Sequence, residues 1–178
     1  IAAALLGTGP SVIVNVPKIA DIAVLIEIIE KCGGEATYNP CERAIMINPV
    51  FDSGRELIVS AALGSRLRST ILLVPPLVGK AGSVWIPIPG GDRLGLRPID
   101  VHRYVFEAMG GNCTQKDGGL QFTAKGLKGC EITLPFPSFT GTGFAVMLAA
   151  QATGMTLLHN VALEPELDDL YALLGKMG

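Results

Sequence analysis

The sequence has no apolar run long enough to cross a membrane. A spanning helix needs about 20 consecutive apolar residues. The richest stretch, Ile71 to Val78, is short and contains Pro75 and Pro76. Charge is also scarce: only 17% of residues are Asp, Glu, Lys or Arg, and the net charge is -2. A nucleic-acid binder ordinarily carries a strong basic excess, so the charge argues against general nucleic-acid binding. There are only two histidines, His102 and His159. The four cysteines, Cys32, Cys41, Cys113 and Cys130, form no C-x-x-C pair. The sequence therefore predicts no metal site, and reduced thiols as in a cytosolic protein. The chain opens on Ile1-Ala2-Ala3-Ala4-Leu5-Leu6 with no basic region before it, which reads as the absence of a signal peptide. The lack of an initial Met suggests a fragment or a trimmed chain. Linkers and low-complexity segments are missing too. With 49% hydrophobic residues and a mean hydropathy of +0.45, disorder is not expected. What is present is 178 residues, enough for one domain with a real core.

That domain reads as one supersecondary unit written three times, over about 1–50, 65–135 and 138–178. Each copy begins with an apolar helix: Ile1 to Leu6, Ser69 to Val78, and Gly143 to Ala152. Each helix runs into a small-residue turn, where Gly supplies a left-handed cap. A β-branched strand follows: Ser11 to Val16, Ser83 to Ile88, and Met155 to Val161. A second helix then starts with Pro and acidic residues, over Pro17 to Cys32, Pro98 to Met109, and Pro165 to Leu174. The pairs Gly33-Gly34 and Gly110-Gly111 close the first two of these. Copy two ends in strands Asn112 to Lys116 and Leu120 to Ala124, joined by Asp117-Gly118-Gly119, with a further strand from Cys130 to Leu134. Ala36 to Tyr38 and Ala44 to Ile47 fill the same role in copy one. The first helix of each copy is apolar nearly all round, which predicts burial on every side.

The segment Pro89 to His102 concentrates the chemistry. Its glycines make a flexible loop between a strand and a helix. Arg93 and Arg97 can grip phosphate or carboxylate in a fork, and Asp92 at the tip can carry a proton. An ordinary polar loop before a Pro-started helix is the plainer reading. His102 reads as a capping or packing residue, and Lys80 and Lys128 as solvated. Cys113 and Cys130 read as core or strand residues. Glu164, Glu166, Asp168 and Asp169 are acids of a helix start rather than metal ligands.

The pattern Pro-Gly-Gly-x-x-x-Gly-x-Arg-Pro-x-Asp-x-His over these residues resembles the active-site loop of UDP-N-acetylglucosamine enolpyruvyl transferases. The similarity extends to Arg68-Ser69-Thr70-Ile71, to Asn15-Val16-Pro17, and to Asn160-Val161-Ala162-Leu163-Glu164-Pro165-Glu166. It implies an α/β (α+β) fold: one lobe of repeated βαβαββ units around buried helices, working against a second lobe of the same enzyme. It implies transfer of the enolpyruvyl group of phosphoenolpyruvate to the 3-hydroxyl of UDP-N-acetylglucosamine, the first committed step of peptidoglycan precursor synthesis, in the cytoplasm and with no cofactor. Carried over by position, Arg97 contacts phosphoenolpyruvate and Arg68 lies near the nucleotide. Pro98, Ile99, Asp100, Val101 and His102 form the strip along the uridine, and Ser138, Phe139 and Thr140 form the turn near the diphosphate. Asp92 takes the place of the usual loop cysteine, the target of fosfomycin, so resistance to that antibiotic is implied. Two departures stand out. Phe136 occupies a position often held by lysine, and Thr140 one held by glycine. A relative acting on another uridine nucleotide, or a non-catalytic nucleotide-binding module, are the alternatives.

Overall fold

A computed structural model describes residues 1–52, 55–90 and 98–178. Three short sheets surround a set of inner helices. A 3-10 helix at Ala3–Leu6 leads to β1 (Ser11–Ile13), α1 (Ala20–Lys31), β2 (Glu35–Asn39) and β3 (Ala44–Asn48). After β4 (Leu57–Ile58) and a single turn of helix, α2 (Ala61–Gly64), a second 3-10 helix at Arg68–Leu73 runs into α3 (Val74–Ala81). Then come β5 (Ser83–Pro87), α4 (Asp100–Ala108), β6 (Asn112–Lys116), β7 (Gly119–Thr123) and β8 (Glu131–Thr133). The last elements are α5 (Phe139–Ala149), β9 (Leu157–His159) and α6 (Pro165–Met177). The strand orders are β1-β3-β2, β4-β5-β7-β6 and β8-β9. The β4–β5 and β8–β9 pairs are parallel and the others antiparallel.

The inner helix of the second unit changes type for a covalent reason. Pro75 and Pro76 have no N–H to give to the carbonyls of Ile71 and Leu72. The chain before them winds as a tighter 3-10 helix, and the α-helix starts only at Val74, with both prolines in its first turn. Gly82 closes it at φ +76°, its N–H on the Val78 carbonyl at 2.7 Å. The third inner helix, α5, is apolar all round and buries seven of its eleven residues. The outer helix α4 is two-faced: Val101, His102, Val105 and Phe106 point inward. Gly110, at φ +92°, ends it as Gly33, at +93°, ends the first outer helix. Phe106 meets Phe122 of β7 edge to face at 5.2 Å in the continuous core.

Several sequence expectations are corrected. The strands expected over Ser11 to Val16 and Met155 to Val161 are shorter, because Asn15 and Asn160 turn the chain at φ +59° and +56°. Asn tolerates that left-handed conformation better than most residues. The inner helix expected at Gly143 to Ala152 begins earlier, at Phe139, where Ser138 caps it. β4 and α2 were not anticipated. Lys80 is not solvated: its Nζ donates to the Gly7 carbonyl at 2.6 Å, bracing the end of the first inner helix. No described helix is long and apolar enough to cross a membrane, and no described cluster of His, Cys, Asp or Glu could hold a metal.

Candidate active site

Three segments far apart in sequence meet at the start of α4. Arg68 begins the second inner helix, and its Nη2 donates to the Pro98 carbonyl at 2.6 Å. That bond fixes the chain just before α4. Along the strip, Pro98 and Asp100 are exposed and Ile99 is half-buried. Val101 and His102 turn into the core at 3% and 1% exposure, so neither side chain faces solvent.

Those two buried residues hold the third segment. His102 Nε2 and Thr140 Oγ1 are hydrogen-bonded at 3.0 Å, and the His102 ring packs edge-on against Phe144 at 5.3 Å. Val101 sits where a side chain at Gly141 would be: a Cβ there would lie 2.7 Å from Val101 Cγ1. Only glycine allows the first turn of α5 so close to α4. Ser138 Oγ accepts the Gly141 N–H at 3.1 Å and its carbonyl accepts the Thr142 N–H at 2.8 Å. The Phe139 and Thr140 amides of the first turn have no acceptor within the helix, as at any helix start. Ser138 and Thr140 are half-buried and Phe139 is exposed.

Burial, helped by the nearby Arg68 charge, drives the His102 pKa down to about 4 against the opposing pull of the Ile99 and Thr140 backbone. Nδ1 makes no hydrogen bond among the described residues, so Ile99 acts on the ring only as a nearby dipole. His102 is therefore neutral at pH 7 and is a packing residue, as its sequence context suggested. Among the described residues, Arg68 is the positive charge acting on the ring. Asp92 and Arg97, the proposed proton carrier and phosphoenolpyruvate ligand, lie outside the described residues.

A groove of about 400 Å³ adjoins the site, lined by Ser69, Phe139 and Thr140 on one side and by Leu72, Met147 and Leu170 among others. Its walls are mainly apolar, which suits neither a phosphate nor a carboxylate. Sequence reasoning overlooked Thr142, fully buried, whose Oγ1 accepts the Ala162 N–H at 3.0 Å and ties the Asn160-Val161-Ala162 turn to α5. The alternation Thr140-Gly141-Thr142-Gly143 was the available signal: small residues where a helix is crossed closely.

Comparison with known proteins gives a consistent result. The family model described as EPSP synthase (3-phosphoshikimate 1-carboxyvinyltransferase) matches residues 1–178. A UDP-N-acetylglucosamine 1-carboxyvinyltransferase 1 of Symbiobacterium thermophilum is 41% identical over 182 residues, covering 100% of this chain and 41% of the relative. One of the same name from Carboxydothermus hydrogenoformans is 36% identical, again over 100% of this chain and 41% of its own length. The chain thus spans about two fifths of these relatives. Among solved structures, the enolpyruvyl transferase NikO from Streptomyces tendae superposes with a TM-score of 0.82 at 24% identity, over 98% of this chain and 40% of that one. The EPSP synthase from Acinetobacter baumannii gives 0.62 at 17%, over 87% and 36%. At such identities the two structures speak for the fold.

Proposed function

The chain belongs to the EPSP synthase (3-phosphoshikimate 1-carboxyvinyltransferase) family, and we propose on that premise that it is one lobe of a cytoplasmic enzyme that transfers the enolpyruvyl group of phosphoenolpyruvate to the 3-hydroxyl of UDP-N-acetylglucosamine, for peptidoglycan synthesis. The observation that carries this reading is the convergence of Arg68, Pro98 to His102, and Ser138 to Thr140 around one point, through the Arg68–Pro98 and His102–Thr140 hydrogen bonds. The names of relatives 34–41% identical over the whole chain support the choice of acceptor.

The reaction is addition followed by elimination. The sugar 3-oxygen bonds to the central carbon of phosphoenolpyruvate while its methylene carbon takes a proton. The hydroxyl proton passes to a base. Loss of a methyl proton then re-forms the double bond as the C–O bond to phosphate breaks. Arg97 holds the phosphate and carboxylate through both steps. Asp92 supplies the proton. A free carboxyl, with a pKa near 4, is mostly ionised at neutral pH, so Asp92 works as an acid only when closure against the second lobe desolvates it. Pro98 to Asp100 run along the uridine, and the first turn of α5 takes the diphosphate.

Phosphate release by the intact enzyme tests this: turnover with phosphoenolpyruvate and UDP-N-acetylglucosamine is expected, and none with shikimate 3-phosphate. A second uridine nucleotide as the better acceptor is favoured by one feature, Phe136, whose apolar ring is 53% exposed where the resemblance expects a lysine. The epoxide fosfomycin probes position 92 directly. A carboxylate opens an epoxide far more slowly than a thiolate. Burial also pushes the Cys113 thiol up to about 11, which leaves it unreactive. The native enzyme is expected to resist inactivation, and Asp92→Cys to acquire a mass adduct with time while keeping measurable turnover. An adduct at Asp92 in the native enzyme, or none on an active cysteine variant, refutes the assignment.

A further inference from the structure

The two segments proposed to hold the nucleotide end on residues that bond to each other. His102 closes the strip that begins at Pro98, and Thr140 closes the turn that begins at Ser138. They sit in the first turns of two different helices, α4 and α5, 38 residues apart in sequence. Across that join His102 Nε2 and Thr140 Oγ1 are 3.0 Å apart.

The other contacts of α4 with α5 at this point are apolar. Val101 fills the space over Gly141, and the His102 ring meets Phe144 edge-on at 5.3 Å. Apolar contact is non-directional: it sets how closely the helices lie and leaves small sliding motions open. A hydrogen bond is directional, and this one is unshared. His102 Nδ1 is buried with no partner among the described residues, so Thr140 alone orients the ring by hydrogen bonding there. A proton on Nδ1 would be an orphaned buried N–H, the rarer kind of defect. The proton is therefore assigned to Nε2, which donates to Thr140 Oγ1. Thr140 stands where the resemblance has glycine, which has no hydroxyl to accept it.

We propose that His102 and Thr140 are a positioning pair: their hydrogen bond fixes the distance between the uridine strip and the diphosphate turn, and so favours a ligand that engages both, a uridine 5′-diphosphate, over one that reaches the strip alone. This rests on the nucleotide placement of the proposed function. It adds a residue with no ligand contact of its own, since His102, at 1% exposure, acts only through Thr140. The gain is preorganisation. A ligand held at two points binds tightly when those points already stand at the right distance. Otherwise part of its binding energy goes into moving one helix against the other. A ligand held at one point is indifferent to that distance.

The test is binding to the intact enzyme, by calorimetry for UDP and by ligand-detected NMR for uridine. Thr140→Val keeps the shape and removes the acceptor. It is expected to weaken UDP about tenfold or more and uridine less than ~threefold. Thr140→Ser, which keeps the hydroxyl, is expected to recover most of the UDP affinity. Thr140→Ala repeats the comparison should the valine variant not fold. His102→Phe should copy Thr140→Val, and the double variant should lose no more than either alone. Equal weakening of UDP and uridine marks a general loosening of the fold and overturns the pair. So does unchanged UDP affinity without the hydroxyl, a serine variant as weak as the valine one, multiplied losses in the double variant, or a native enzyme that binds UDP no more tightly than uridine. The pair and the transfer reaction fail separately. If the native enzyme turns over phosphoenolpyruvate with UDP-N-acetylglucosamine while Thr140→Val binds UDP normally, the reaction stands and the pair falls. If that turnover is absent and Thr140→Val loses UDP selectively, the pair stands and the reaction falls.

Discussion

Two outer helices, α4 and α6, begin with the same signals and pack in opposite ways. Each has a proline at its start, Pro98 just ahead of α4 and Pro165 as the first residue of α6, and each carries acids in its first turn, Asp100 in one and Glu166 and Asp168 in the other. Each lies against α5. Yet α4 buries Val101, His102, Val105 and Phe106, whereas α6 buries only Leu167. The difference lies on α5: Gly141 opens a seat for Val101 and Thr140 offers a hydroxyl to His102, while on the other side Leu170 and Leu173 border the 400 Å³ groove. Start signals specify that a helix forms. The neighbour's small residues and polar partners decide how deeply it docks.

If that is right, removing the α4 anchor costs far more than any change on α6. Phe106→Ala deletes a ring that is fully buried and stacked edge-on against Phe122. It is expected to cost ~3–5 kcal/mol in urea unfolding. Leu170→Ala, at a half-buried position, is expected to cost under ~1 kcal/mol. Equal losses would break the comparison.

The next effect is a pH dependence seated on α4. The His102 pKa is about 4 folded and 6.5 in the ordinary state. Between those values the unfolded chain binds the extra proton. Stability from this residue is therefore intact above pH 6.5, falls as pH drops, and is fully lost below pH 4. The loss is about 3 kcal/mol at most. Unfolding curves from pH 7 to pH 4 for the native chain and for His102→Gln should diverge in slope by that order. Parallel curves would mean that His102 reaches solvent or is protonated in the fold.

Much of this was legible in the sequence because it rests on local rules. The Gly110 cap and the Asp117-Gly118 hairpin each follow from backbone preferences of the residues concerned, and the structure has φ of +92°, +50° and +73° at Gly110, Asp117 and Gly118. The meeting of Pro98 to His102 with Ser138 to Thr140 followed only from resemblance, since no local rule links residues 38 apart. β4 escaped because two residues carry no periodicity. Its existence depends on β5 lying beside it. Lys80 was misjudged for a similar reason: a lysine reads as solvated until the fold brings a helix-end carbonyl, Gly7, within reach.

The smallest expected effect sharpens the comparison from the side of α6. Leu163, just ahead of the helix, is 88% exposed and touches little of the core. An apolar side chain left in water contributes almost nothing by burial. Leu163→Ser should therefore change stability by no more than ~0.5 kcal/mol. The neighbouring Ala162, 2% exposed and held through its N–H by Thr142, serves as the control. Thr142→Val removes that acceptor and leaves a buried N–H unpaired, at about 1–3 kcal/mol. Urea midpoints of the two variants, measured side by side, read the contrast directly. A Leu163→Ser loss as large as that of Thr142→Val would show that the segment leading into α6 is packed as firmly as α4, and that what separates the two helices is something other than their seat on α5.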